Sequence, residues 1–99
     1  MPLYIRGMIG NIKHRGLKRL HERGDRSRVP AQYAEKLENI LFLLDTALVV
    51  EALDLPGFRL HPLTGDLKGF WSITVRANWR VIFRFEDGQA LDVDLVDYH

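Results

Sequence analysis

Cysteine is absent from the 99 residues. Disulfide staples and thiolate-held metals are therefore excluded, and a cytoplasmic location is compatible with that usage. Long apolar runs are missing as well. No stretch approaches the roughly 20 residues of a membrane-spanning helix. Residues 1–8, MPLYIRGM, are too short and too polar for a signal peptide, so no membrane partner is expected. Glycine-rich nucleotide loops, His-Glu-x-x-His pairs and serine elbows do not occur. The four histidines and the carboxylates follow no metal-ligand spacing, so neither cofactor nor metal is expected. Net charge is nearly absent too, at +1.

The distribution of charge says more than its sum. Residues 1–36 carry nine Lys or Arg against three Asp or Glu, and residues 37–99 carry five against ten, so net charges of +6 and −5 follow one another along the chain. The densest positive run is Lys13, Arg15, Lys18, Arg19 and Arg23. It reads either as a surface for a polyanion or as a solvated helix face. A chain of 99 residues fits one domain, which buries roughly two thirds of its unfolded surface. Met8 offers a second start, which makes residues 1–7 a candidate extension ahead of a single domain at 8–99.

Residues 8–12 form a short apolar run with the character of an edge strand. Residues 14–23 read as a basic helix with Leu17 and Leu20 inward, stopped by Gly24. Pro30 suits the first turn of a second helix. There Tyr33, Leu37, Ile40, Leu41, Leu44 and Leu48 recur at three- and four-residue steps over about 18 residues. From Phe58 onward the period becomes two. Trp71, Ile73 and Val75; Trp79, Val81, Phe83 and Phe85; and Leu91, Val93 and Leu95 mark three strands with one apolar face each. A two-residue turn at Asp87-Gly88 would set Phe83 against Asp92. A three-residue loop is therefore expected, pairing Val81 with Val93 and Arg80 with Asp94. The same reasoning pairs Val75 with Trp79 and Ile73 with Val81. Two N-terminal helices on a small, mostly antiparallel sheet give an α+β fold. Ser72, Thr74, Arg80, Arg84, Asp92 and Asp94 fall on the other sheet face, as an RNA cradle or as a solvated surface.

Cleaving RNA without a metal needs a base for the 2′-hydroxyl, an acid for the leaving 5′-oxygen and cations for the phosphorane. Histidine, carboxylate and arginine supply these. The candidates are His61, the closing Asp97-Tyr98-His99, and Arg76, Arg80 and Lys68. Trp71 and Trp79 belong to the apolar face and are expected in the core.

Arg59-Leu60-His61-Pro62-Leu63, Gly65-Asp66, the segment from Gly69 to Ile73, Arg76-Ala77-Asn78-Trp79-Arg80 and the terminal Asp97-Tyr98-His99 together resemble HigB toxins of the RelE superfamily. Lys13 to Lys18 and Val29 to Gln32 extend the likeness, which runs from Met8 to His99. The resemblance implies a RelE-like fold and an endoribonuclease that cuts messenger RNA on translating 70S ribosomes. It implies a HigA-like helix-turn-helix antitoxin, which contacts operator DNA and represses the operon together with the toxin. By position, His61, Asp97, Tyr98 and His99 match residues tied to cleavage, and Arg76 and Arg80 match arginines near the scissile phosphate. One departure is Thr64, where HigB proteins commonly have lysine; Lys68 is the nearest replacement cation. His99 or Asp97 is the candidate base, His61 an acid or phosphate ligand, and Tyr98 a positioning or stacking residue. Lys13, Arg15, Lys18 and Arg19 are candidate RNA contacts. The alternative is a module of the same fold that binds RNA, the ribosome or an antitoxin without cutting.

Overall fold

The computed structural model describes residues 9–98. Residues 1–8, and with them the candidate extension, lie outside that range, as does His99. Helix α1 spans Arg15–Arg23 and α2 spans Ala34–Thr46. Strands β1 (His61–Pro62), β2 (Phe70–Arg76), β3 (Trp79–Glu86) and β4 (Gln89–Asp97) follow. They form one antiparallel sheet in the order β1-β2-β3-β4. The class is α+β, but the helices are not at the very N-terminus. Residues 9–12 precede them and run parallel to the free edge of β4, with bridges Ile9–Ala90 and Ile12–Val93. No helix among the described residues is long and apolar enough to cross a membrane.

Local chemistry explains each helix end. His14 caps α1, its Nδ1 accepting from the Leu17 N–H at 3.1 Å. Gly24, at φ 68°, takes the left-handed conformation that closes the helix. Gly16 is required for a different reason: a Cβ there would stand 2.2 Å from the Arg28 carbonyl oxygen. A 3-10 turn over Ala31–Tyr33 follows Pro30 and leads into α2. Ala34, Leu37, Ile40, Leu41 and Leu44 form the buried stripe. The helix stops at Thr46, whose hydroxyl donates back to the Phe42 carbonyl at 3.1 Å. Leu48, expected on the stripe, therefore lies beyond the helix and is 71% exposed.

The α2 stripe and Leu17 and Leu20 of α1 share one core with Ile73, Val75, Val81, Phe83, Val93 and Leu95. Trp71, Trp79 and Phe85 pack on it, partly buried. The expected helix-facing sheet surface is thus present, with one change: Ala90 is buried, whereas Leu91 pairs with Arg84 on the opposite face.

That change reflects a register different from the expected one. The β3–β4 connection is a two-residue turn, Asp87-Gly88, with φ of 53° and 74°. Positive φ at both positions is the hairpin geometry that Asp-Gly favours. The clash of Phe83 with Asp92 is avoided by a bulge: pairing runs Arg84–Leu91, then Ile82–Asp94, with Asp92 at φ 52°. Arg80 consequently faces Val96, not Asp94. Asn11 fills the gap in the ladder. Its Oδ1 accepts from the Asp92 N–H at 3.0 Å, and its Nδ2 donates to Asp92 Oδ1 at 2.9 Å. A second irregularity lies between Thr74 and Arg76. Ile73–Val81 is paired as expected, but Trp79 faces Arg76 across a two-residue Ala77-Asn78 turn instead of facing Val75.

Candidate active site

Register determines which candidate side chains can meet. Directly paired residues share a face. His61, Ser72, Ile82 and Asp94 form one row across the face turned away from the helices. Thr74, Arg80 and Val96 form another row on that face. Arg76, Trp79 and Asp97 form a row on the helix side. The bulge is what moves Arg76 there, because simple alternation would have left it beside Thr74 on the open face.

The Ala77-Asn78 turn is the gathering point. Arg80 Nη1 donates to the carbonyls of Ala77 at 2.5 Å and Trp79 at 3.1 Å. The Tyr98 N–H donates to the Asn78 carbonyl at 2.7 Å. Tyr98 is half-exposed, and Asp97 sits beside Trp79 in the row beneath. Arg80, Asp97, Tyr98 and the backbone of Arg76 thus share one end of the sheet, with Arg80 and Asp97 on opposite faces. Arg80 is bound there by neutral carbonyls and, among the described residues, by no carboxylate.

His61 stands apart. Two strand spacings, about 10 Å, separate β1 from β3, and His61 is level with Ile82, not Arg80. Its side chain is exposed, with Nδ1 3.1 Å from the Arg59 carbonyl oxygen. A carbonyl can only accept, so Nδ1 donates in this contact and Nε2 is left for another partner. Arg59 holds that carbonyl with a left-handed backbone, φ 50°. Lys68 is exposed at the end of the 3-10 turn Gly65–Leu67, and Thr64 precedes that turn.

The basic run becomes one wall of a groove. Arg15, Lys18, Arg19, Glu22 and Arg23 of α1 line it with Arg28, a space of about 350 Å³. Arg19 is tied to Asp25 at 3.2 Å. Lys13 lies off the groove, close enough to Asp92 to help hold that carboxyl below the usual carboxylate range, after the larger effects of Asn11 and Arg84 hydrogen bonds. Arg28 was invisible to linear reading because Gly24 to Ser27 separate it from the run.

An α+β domain of two helices and a short antiparallel sheet, with arginine, tyrosine and carboxylate gathered at one sheet end, defines the class. The chain belongs to the HigB family of RelE-like toxins of type II toxin–antitoxin systems, whose family model matches residues 10–99. It is similar to the Endoribonuclease HigB of Proteus vulgaris, at 48% identity over 92 residues, covering 93% of this chain and all of that protein. Toxin HigB-1 of Vibrio cholerae serotype O1 is 36% identical over 86 residues, covering 85% of this chain and 90% of that one.

Proposed function

We propose that this toxin is a metal-independent endoribonuclease that cuts messenger RNA on the 70S ribosome and so inhibits translation. The observation that carries the reading is the Arg80 guanidinium held on backbone carbonyls at the Ala77-Asn78 turn, the end of the sheet at which Asp97 and Tyr98 also lie. The relationship to the Proteus Endoribonuclease HigB supports it. In the reaction, the 2′-oxygen loses its proton and attacks phosphorus, and the 5′-oxygen leaves and is reprotonated. Arg80 stabilises the phosphorane, where preorganised charge is most effective. Asp97 or His99 takes the proton. Tyr98, half-exposed, positions the strand. His61 in its doubly protonated form gives the Nε2 proton to the departing 5′-oxygen, or hydrogen-bonds a phosphate oxygen with it, once the RNA bridges the gap from β1. Lys13, Arg15, Lys18 and Arg19 bind ribosomal RNA through its phosphates, Arg76 and Lys68 contact the substrate strand, and no metal is required.

The partner is a HigA-like helix-turn-helix antitoxin, through which alone the toxin reaches operator DNA, and the complex is cytoplasmic. A non-catalytic binding module of the same fold is the second reading, favoured by Thr64 and by the separation of His61 from Arg80. Expression without antitoxin decides between them. Growth arrest with fragmented messenger RNA for wild type, and intact RNA for His99→Ala, is expected. Normal growth and intact RNA with soluble, folded wild type would overturn the nuclease.

A further inference from the structure

On the helix side of the sheet, next to the Arg76–Trp79–Asp97 row, lies a hollow of about 430 Å³ lined by Gln32, Tyr33, Lys36, Val75 and Arg76. Its size falls within the roughly 300–1,000 Å³ of small-molecule sites. Its walls come from distant parts of the chain: the entry to α2 and the end of β2. Val75, 1% exposed, forms an apolar floor. Tyr33 is partly buried against the core, so its ring is held in place while lining the hollow. Lys36 and Arg76 bring two positive charges, and neither takes part in an ion pair among the described residues. Arg76 reaches this side only because the bulge after Thr74 turns it there.

Two uncompensated cations beside an anchored aromatic ring and an amide match a phosphate attached to a planar base. Single-strand binding surfaces combine the same elements, positive charge for the backbone and an aromatic face for the base. We propose that this hollow is a subsite for one nucleotide of a single-stranded RNA, its phosphate held by Lys36 and Arg76 and its base set against Tyr33. The hollow adjoins the row that ends in Asp97, two strand spacings or about 10 Å across the sheet. The strand therefore crosses from the open face around the Ala77-Asn78 end to the helix side. The inference rests on the reading of the protein as an RNA-directed toxin, but not on cleavage itself.

The test uses the full chain and a fluorescein-labelled 2′-O-methyl hexaribonucleotide, which cannot be cut through its 2′-oxygen. Anisotropy titrations over a salt series compare wild type with Lys36→Gln, Lys36→Arg, Tyr33→Leu and Gln32→Ala. Lys36→Gln and Tyr33→Leu are expected to weaken binding about 5–10-fold, with Lys36→Gln also lowering the salt slope by about 0.7. Lys36→Arg should restore both. Ultraviolet crosslinking of a 4-thiouridine-substituted hexamer should label the peptide containing Tyr33. Lys36 is only partly buried and Lys36→Arg keeps its charge, so the lysine variants keep the test valid if Tyr33→Leu unfolds. Wild-type affinity and slope in Lys36→Gln, or no binding by the wild type at low salt, would overturn the subsite. Binding that weakens as expected alongside intact ribosomal messenger RNA would leave the subsite standing and remove the nuclease reading alone.

Discussion

Arg80 and Arg84 lie four residues apart on the same strand and the same face, yet they are held differently. Arg84 grips two carboxylates, Asp92 at 3.0 Å and Glu86 at 2.6 Å. Arg80 rests on the carbonyl oxygens of Ala77 and Trp79. A guanidinium neutralised by fixed carboxylates is part of the scaffold. One bound by neutral dipoles keeps its full charge and exchanges weak acceptors for a phosphate when RNA arrives. The Asp87-Gly88 end of the sheet is electrostatically closed, and the Ala77-Asn78 end is open.

The largest expected effect breaks this comparison at Arg80. Arg80→Ala should lower the rate of ribosome-dependent cleavage by about 10²–10³ while melting close to wild type. Equal cleavage would show that the open end is not the active surface. Next in size is the basic groove. Reversing Lys18 and Arg19 to glutamate should weaken association with purified ribosomes and flatten its dependence on salt, because phosphate contacts release counterions. An unchanged slope would make α1 a solvated face. Arg84→Ala should show the opposite pattern to Arg80→Ala. Cleavage should stay within a few-fold of wild type, and urea unfolding should show a loss of about 1 kcal/mol, the upper end for partly exposed pairs.

The smallest effect is a pH dependence. Hydrogen bonds from Asn11, then Arg84, hold the Asp92 carboxyl below its ordinary value. Ser27, then Arg19, draw Asp25 from 3.8 down to about 2. Depressed carboxylates stabilise the fold above their unfolded value and lose that contribution as pH falls through the folded one. Unfolding free energy should therefore hold steady down to about pH 4, near the ordinary 3.8, and decline below it. Asn11→Ala should be less stable than wild type at neutral pH, and the gap should narrow in acid. A constant gap would mean that Asn11 acts through the backbone of the bulge, not through the Asp92 charge.

What the sequence disclosed follows from the range of each interaction. The α1 and α2 stripes and the Gly24 stop are local, and they matched the helices to within a few residues. The strand faces were legible from alternation, which is also local, except before the β4 bulge, where Ala90 and not Leu91 faces the core. Register was not. The preference of Asp-Gly for a two-residue turn competed with the pairing of Phe83 and Asp92, and parity alone favoured a longer loop. The chain keeps both the turn and the apolar face by inserting a bulge, held by Asn11 from 81 residues away. The bulge after Thr74 likewise sent Arg76 to the face opposite Arg80, though the two read as neighbours in sequence. Of the candidate site, Arg80, Asp97 and Tyr98 share one end of the sheet, with Arg80 and Asp97 on opposite faces, and His61 and Lys68 lie elsewhere. Lys36 and Tyr33 looked like ordinary helix residues because their partners, Val75 and Arg76, are remote in the chain.

The segment at residues 9–12 has a consequence for how this molecule meets others. By bonding Gly10 to the Ala90 carbonyl and Lys13 to the Val93 carbonyl, each at 2.7 Å, it occupies the rim of β4. The opposite rim is β1, two residues long, and Pro62 has no N–H to offer. Among the described residues, the bonded stretch of β4 is closed to a foreign strand, and β1 is too short to template one. Short or covered borders of this kind disfavour edge-to-edge self-assembly. A protein that engages the sheet along these covered stretches must therefore grip its side chains, because the backbone groups there are already bonded.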